Sequence, residues 1–167
     1  MAITISGSGI TSANIADGTI VNADLANTTH RVLQVVSGTT LTATTTSSST
    51  WAATTLQASI TPSSTSSKIL VMVSGGYLEV SQNSLHARVT IKRGSTELSG
   101  VAYGFGDFYT ASGGYTESTI AFQYLDSPAT TASSTYQVYL STGGTAGTAS
   151  FGHSVRRSTI TLMEIGA

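Results

Sequence analysis

Cysteine is missing from this sequence of 167 residues. Its absence excludes disulfides, thiolate metal sites and cysteine nucleophiles. Stability must come from packing, hydrogen bonds and contacts between subunits. Charge is the second scarcity. Lys and Arg total 7, Asp and Glu total 8, and the net charge is -1. Charged residues are 9% of the chain, against about 25% in ordinary soluble proteins. Such a weak field does not draw nucleic acid or an anionic membrane by bulk charge. Neither nucleic-acid binding nor membrane insertion is expected. Long apolar runs are missing too, and none approaches the ~18 residues of a spanning helix. The opening residues MAITISGSGITSAN lack both a basic segment and a continuous apolar one, so they do not read as a secretion signal. A protein of this kind acting outside a cell is expected to leave as part of a particle. Ser, Thr, Asn and Gln supply the polarity that charge does not.

Sustained helical periodicity is also absent, and two other patterns divide the chain. In residues 1–30 apolar side chains recur every five positions, at Ile5, Ile10, Ile15, Ile20 and Leu25. Neither a helix nor a flat strand has that period. It matches a pentapeptide solenoid, although about four units are too few to stack alone. It equally fits an extended arm with spaced anchors. Either way these residues are candidates for docking on another protein. Residues 31–167 read as an antiparallel β domain. Residues 85–92 alternate, with Leu85, Ala87, Val89 and Ile91 against His86, Arg88, Thr90 and Lys92. Residues 136–140 and 117–125 alternate similarly, and 158–165 reads as a last strand. Residues 68–73 are nearly all apolar, which predicts a central, buried strand. Gly75-Gly76 should bulge or break it. Roughly eight strands separated by turn residues predict an all-β, jelly-roll-like antiparallel β-sandwich with a short N-terminal arm.

Chemistry is sparse. His30, His86 and His153 are far apart, and only a three-fold axis would gather copies of one into a metal site. Arg88, two residues from His86, opposes that. No metal or cofactor is expected. Asp107 and Glu117 are the only carboxylates worth pairing for glycan cleavage, which needs two about 5–9 Å apart. Asp107 equally suits a Gly turn, and Glu117 the start of a strand. GxSxG and phosphate-loop patterns are absent. The most suggestive segment is 100–115, GVAYGFGDFYTASGGY. Its Tyr103, Phe105, Asp107, Phe108, Tyr109 and Tyr115 form a candidate receptor-contact loop. Aromatic faces stack on sugars, and glycines allow close approach. The same aromatics suit sealing one end of the sandwich or a subunit contact. Arg156-Arg157 with Lys92-Arg93 is too small a basic patch for nucleic acid.

The stretch ITSANIADGTIVNADLANTT at 10–29 resembles segments near the beginning of phage fibre modules. PSSTSSKILVMVS at 62–74, YLDSPATTASSTYQVYL at 124–140 and STITLMEIGA at 158–167 resemble a fibre-tip or virion-decoration domain of tailed bacteriophages. The resemblance implies a trimeric jelly roll like tumour-necrosis-factor or complement-head domains, placed on the virion exterior. Long fibres carry a large anchoring domain ahead of such a tip, whereas only about 30 residues precede it here. The expectation is a non-enzymatic, short homotrimeric fibre. Its arm would dock on other virion proteins and its loops would meet a host surface glycan or protein. Two further readings are a capsid decoration (cement) protein and a small carbohydrate-active enzyme.

Overall fold

A computed structural model describes residues 31–112, 114–144 and 147–166. The arm anchors Ile5, Ile10, Ile15, Ile20 and Leu25, and His30, lie outside the described residues. The strands are β1 (Val32–Thr40), β2 (Thr44–Thr46), β3 (Ala52–Ile60), β4 (Lys68–Val80), β5 (Leu85–Arg93), β6 (Thr96–Glu97), β7 (Gly106–Thr110), β8 (Thr116–Asp126), β9 (Ser134–Thr142), β10 (Ala149–Phe151) and β11 (Ser158–Ile165). All pairings are antiparallel. The first sheet runs β1-β11-β4-β10-β2, with β8 on the other side of β4. The second runs β3-β9-β5-β6, with β7 also on β5. The chain crosses repeatedly between the two, and the result is an antiparallel β-sandwich.

Alternation builds the core. Leu85, Ala87, Val89 and Ile91 of β5 point inward, as do Tyr136, Val138 and Leu140 of β9. From the other sheet come Ile69, Val71 and Val73 of β4 and Ile160 and Leu162 of β11. Ile120, Phe122 and Tyr124 of β8 pack on this core while partly exposed. β-Branched and aromatic side chains suit such a pleated, half-buried surface. The expected disturbance at Gly75-Gly76 is a bulge: β4 continues through it, and its register with β8 shifts between Gly75 and Leu78. Strand β4 is central, as its apolar run predicted. Yet only one of its faces is buried in the single chain, because Leu70 and Met72 on the outer side are merely half-buried.

Two buried polar groups join the layers. Asp126, at the end of β8, accepts hydrogen bonds from Arg93 Nη1 (2.6 Å) and from the Tyr136 hydroxyl (2.7 Å), both on the second sheet. Burial and the Asp126 carboxylate together push the Tyr136 phenol well above its usual range. Glu164 takes an inward position on β11 and is fully buried. It accepts from Ser63 N (2.7 Å), Ser63 Oγ (2.6 Å) and Gln34 Nε2 (2.6 Å). Burial alone would raise its pKa, but these hydrogen bonds prevail and hold it below the ordinary carboxylate range.

The sandwich has two distinct poles. At one, Val32 pairs with Ile165, Ile165 pairs with Lys68, and Gly166 N donates to Arg31 O at 2.9 Å. The chain preceding Arg31 therefore joins the domain here, beside the last strand. Strand β4 runs from this pole to the other, where residues 81–84 turn it into β5.

Three stretches hold more order than their composition suggested. The Ser/Thr-rich residues 37–50 contain the end of β1 and all of β2. Part of the Gly- and aromatic-rich loop is strand β7. The Gly-rich 143–152 stretch contains β10, whose Ala149, Ser150 and Phe151 are all buried between β2 and β4.

Candidate functional site

The candidate aromatic loop divides once folded. Phe105 turns inward and stacks on Phe122, with ring centroids 5.5 Å apart, and tilts against Tyr124 at 5.2 Å. Phe108 is also packed on the core. These two rings seal the sandwich. Tyr115 stands just before β8 of the first sheet, and its hydroxyl lies 2.6 Å from that of Tyr77. The Tyr77 hydroxyl also donates to Glu79, and burial with these bonds drives the Tyr77 pKa far up. Tyr103, Asp107 and Tyr109 remain together on the outer face of the second sheet.

Two residues of β5 join them. The β5–β7 register sets His86 opposite Tyr109 and Arg88 opposite Asp107. His86 Nδ1 lies 2.8 Å from both Asp107 oxygens and donates to them when it carries the ring proton. Arg88 Nε stands 3.8 Å from Asp107, and its guanidinium lies 4.0 Å over the centre of the Tyr103 ring. Tyr103 and Tyr109 flank the imidazole, with centroids 6.1 and 4.5 Å from it. They are 55% and 50% exposed, so ring faces stay open to solvent. Sequence reading placed His86 and Arg88 on the polar face of their strand but did not join them to the loop. That link requires the strand register.

Two glycines permit this arrangement. Gly104 has φ +71°, and a Cβ there would collide with the Val89 carbonyl and the Trp51 ring. It lets the loop close on β5, where Phe105 N donates to Val89 O at 2.9 Å. Gly143 leaves the space that His86 occupies, since a Cβ would lie 2.6 Å from the imidazole Cδ2. Below the loop Glu97 accepts from Thr90, Ser99 N and Gly100 N. Its burial is outweighed by these bonds, and its pKa is lowered.

The carboxylates Asp107 and Glu117 do not face one cleft. Asp107 lies on the outer face of the second sheet, and Glu117 on the outer face of the first, where Arg156 pairs with it at 2.8 Å. His153 packs on Tyr77, 4.9 Å between centroids, remote in the fold from His86. Among the described residues no three His, Asp or Glu side chains gather as a metal site.

The other outer face has opposite chemistry. Val35, Met163, Leu70 and Leu125 line up across β1, β11, β4 and β8. Val35 and Leu125 are 55% and 48% exposed. The next rows are Ser37, Thr161, Met72 and Gln123, then Thr39, Thr159, Ser74 and Ala121. No charged residue stands in any of the three rows. Strand β8 has no strand partner on its other edge among the described residues.

No protein-family model matches the chain, and no curated protein matches it significantly.

Proposed function

We propose that this chain is a non-enzymatic structural protein on the exterior of a tailed-bacteriophage virion. In this reading it is a short homotrimeric fibre, docked on other virion proteins by residues 1–30 and touching the host with the Tyr103–Tyr109 surface. The observation that carries assembly is the three uncharged rows on the outer face of the first sheet. A strand as apolar as residues 68–73 is normally covered on both sides, and here Leu70 and Met72 lie half-open. Exposed apolar surface of this kind marks an interaction site. The unpaired edge of β8, which carries no Lys or Pro, adds a second surface that calls for cover. Closed symmetry among like copies covers both at once. The virion setting rests on the sequence resemblance.

Polarity favours a fibre over a decoration protein. The N-terminal segment joins the domain at one pole. His86 and Tyr109 lie near the other, where β4 turns into β5 and β7 ends. Attachment and contact are thereby separated along the strands.

Sedimentation of the full chain at micromolar concentration tests assembly, with three times the chain mass expected. A monomer there would overturn the trimer. Labelled antibody against residues 100–115 on intact particles tests placement. Label at a tail or fibre end supports the reading, and label spread over the capsid makes this a decoration protein.

A further inference from the structure

We infer that Tyr103, His86 and Tyr109, with Asp107 and Arg88, form a saccharide site for an uncharged pyranose. This rests on the host-contact reading and gives it a ligand class. A pyranose presents a face of C–H groups and a rim of hydroxyls that both donate and accept. The cluster has the matching layout. Two half-exposed phenol rings supply apolar faces with a fixed orientation. Between them the Asp107 carboxylate has about four lone-pair positions, and among the described residues it accepts hydrogen bonds from the one His86 nitrogen alone. Among the described residues the Nε2 atom of His86 has no hydrogen-bond partner and is left to meet a hydroxyl, whereas the unpaired Nε atom of Arg88 is buried and Arg88 acts through its face on Tyr103.

The surroundings select against other ligands. The charge of Arg88 is answered by Asp107, and its face lies on Tyr103, so little net charge is left for an anion. A stable protein contact covers about 800 Å² on each partner, whereas this surface spans three rings. Preorganisation is already present. The imidazole is held by Asp107 and both tyrosines, and Tyr103 by Arg88, so little side-chain freedom is lost on binding. The site is open and flat, so a single copy binds in the millimolar range. Three linked copies raise the apparent affinity through effective concentration.

Saturation-transfer NMR on the full chain tests this, using uncharged hexoses and N-acetylhexosamines beside N-acetylneuraminic acid. Saturation should reach the ring protons of at least one uncharged sugar. Tyr109→Ala and Tyr103→Ala should each weaken binding about tenfold, the scale of one stacked ring. Tyr115→Ala, beside the other sheet, should leave it unchanged. Sedimentation of every variant shows that loss of binding is not loss of fold. Transfer to the anionic sugar alone, to none of the sugars, or surviving the loss of both tyrosines would overturn the site. A wild-type trimer that ignores sugars defeats this inference and leaves the fibre reading standing. Sugar binding by a monomer does the reverse.

Discussion

The two outer faces of the sandwich are built by the same alternation and end in different chemistry. Across β1, β11, β4 and β8 the outward side chains form three uncharged rows headed by Val35, Met163, Leu70 and Leu125. Across β5 and β7 the outward side chains include His86, Arg88, Asp107 and Tyr109, bonded or stacked to one another. The inward residues of both sheets are mostly apolar and serve one core. Fold therefore accounts for the inner faces, and the outer faces carry what is particular to this protein. Under the proposed function, one is covered by its own kind and the other meets something small and polar.

The largest expected effect is on the uncharged rows of the first sheet. Leu125→Glu, at a half-exposed position, should leave the single chain folded and set an unpaired carboxylate into the proposed subunit contact. Desolvating such charges costs several kcal/mol per ion, so association should weaken by about two orders of magnitude or more. Sedimentation reads this directly, and Tyr109→Ala serves as the control that keeps its mass. An unaltered trimer with Leu125→Glu would move the interface elsewhere.

Between the faces, Asp126→Ala should strip Arg93 and Tyr136 of their common acceptor. Breaking a buried pair costs about 3 kcal/mol, and urea unfolding should show the lower midpoint that such a loss implies, without a change in slope. Glu164 gives a pH signature. Its folded pKa is depressed, so its contribution is complete above the ordinary carboxylate value of 4.5 and is lost as pH falls through the lower folded value. Stability should therefore drop in that acid window, and Glu164→Gln should flatten the drop while lowering the plateau. A steeper acid loss in that variant would contradict the assignment.

A finer test separates site from scaffold. Gly143→Ala should displace the His86 ring and reduce sugar saturation, although position 143 supplies no ligand-facing group. Thermal unfolding should move little by comparison. The smallest effect belongs to Tyr115→Phe, which removes one partly exposed hydrogen bond to Tyr77 and should cost under about 1 kcal/mol.

Much of the fold was legible because strands such as 85–92 and 136–140 alternate without interruption. Strands β2 and β10 were not, since Thr44–Thr46 and Ala149–Phe151 are too short to display a period and gain their burial from neighbours. Strand β7 was hidden by Gly104 and Gly106, which read as loop residues, although Asp107 and Tyr109 already alternate with Phe108 and Thr110. In the candidate site, Tyr103, Asp107 and Tyr109 were visible as a group, while their bond to His86 and Arg88 depends on a β5–β7 register that composition does not encode. The inward turn of Phe105 and Phe108 follows from rings with no hydroxyl to keep in water. Residues 158–165 read as a strand, and only the folded partners Ser63 and Gln34 explain how the carboxylate of Glu164 tolerates its buried position.

The meeting of Arg31 and Gly166 at one pole has a practical consequence. A short linker between them would close the polypeptide into a ring, and fresh ends could then be cut at the exposed turn near Ala111 and Ser112, the opposite pole. Such a circular permutant should keep every strand pairing while reversing which end of the molecule bears a fused cargo. The same geometry means that a display tag fused after Gly166 emerges beside the chain that precedes Arg31.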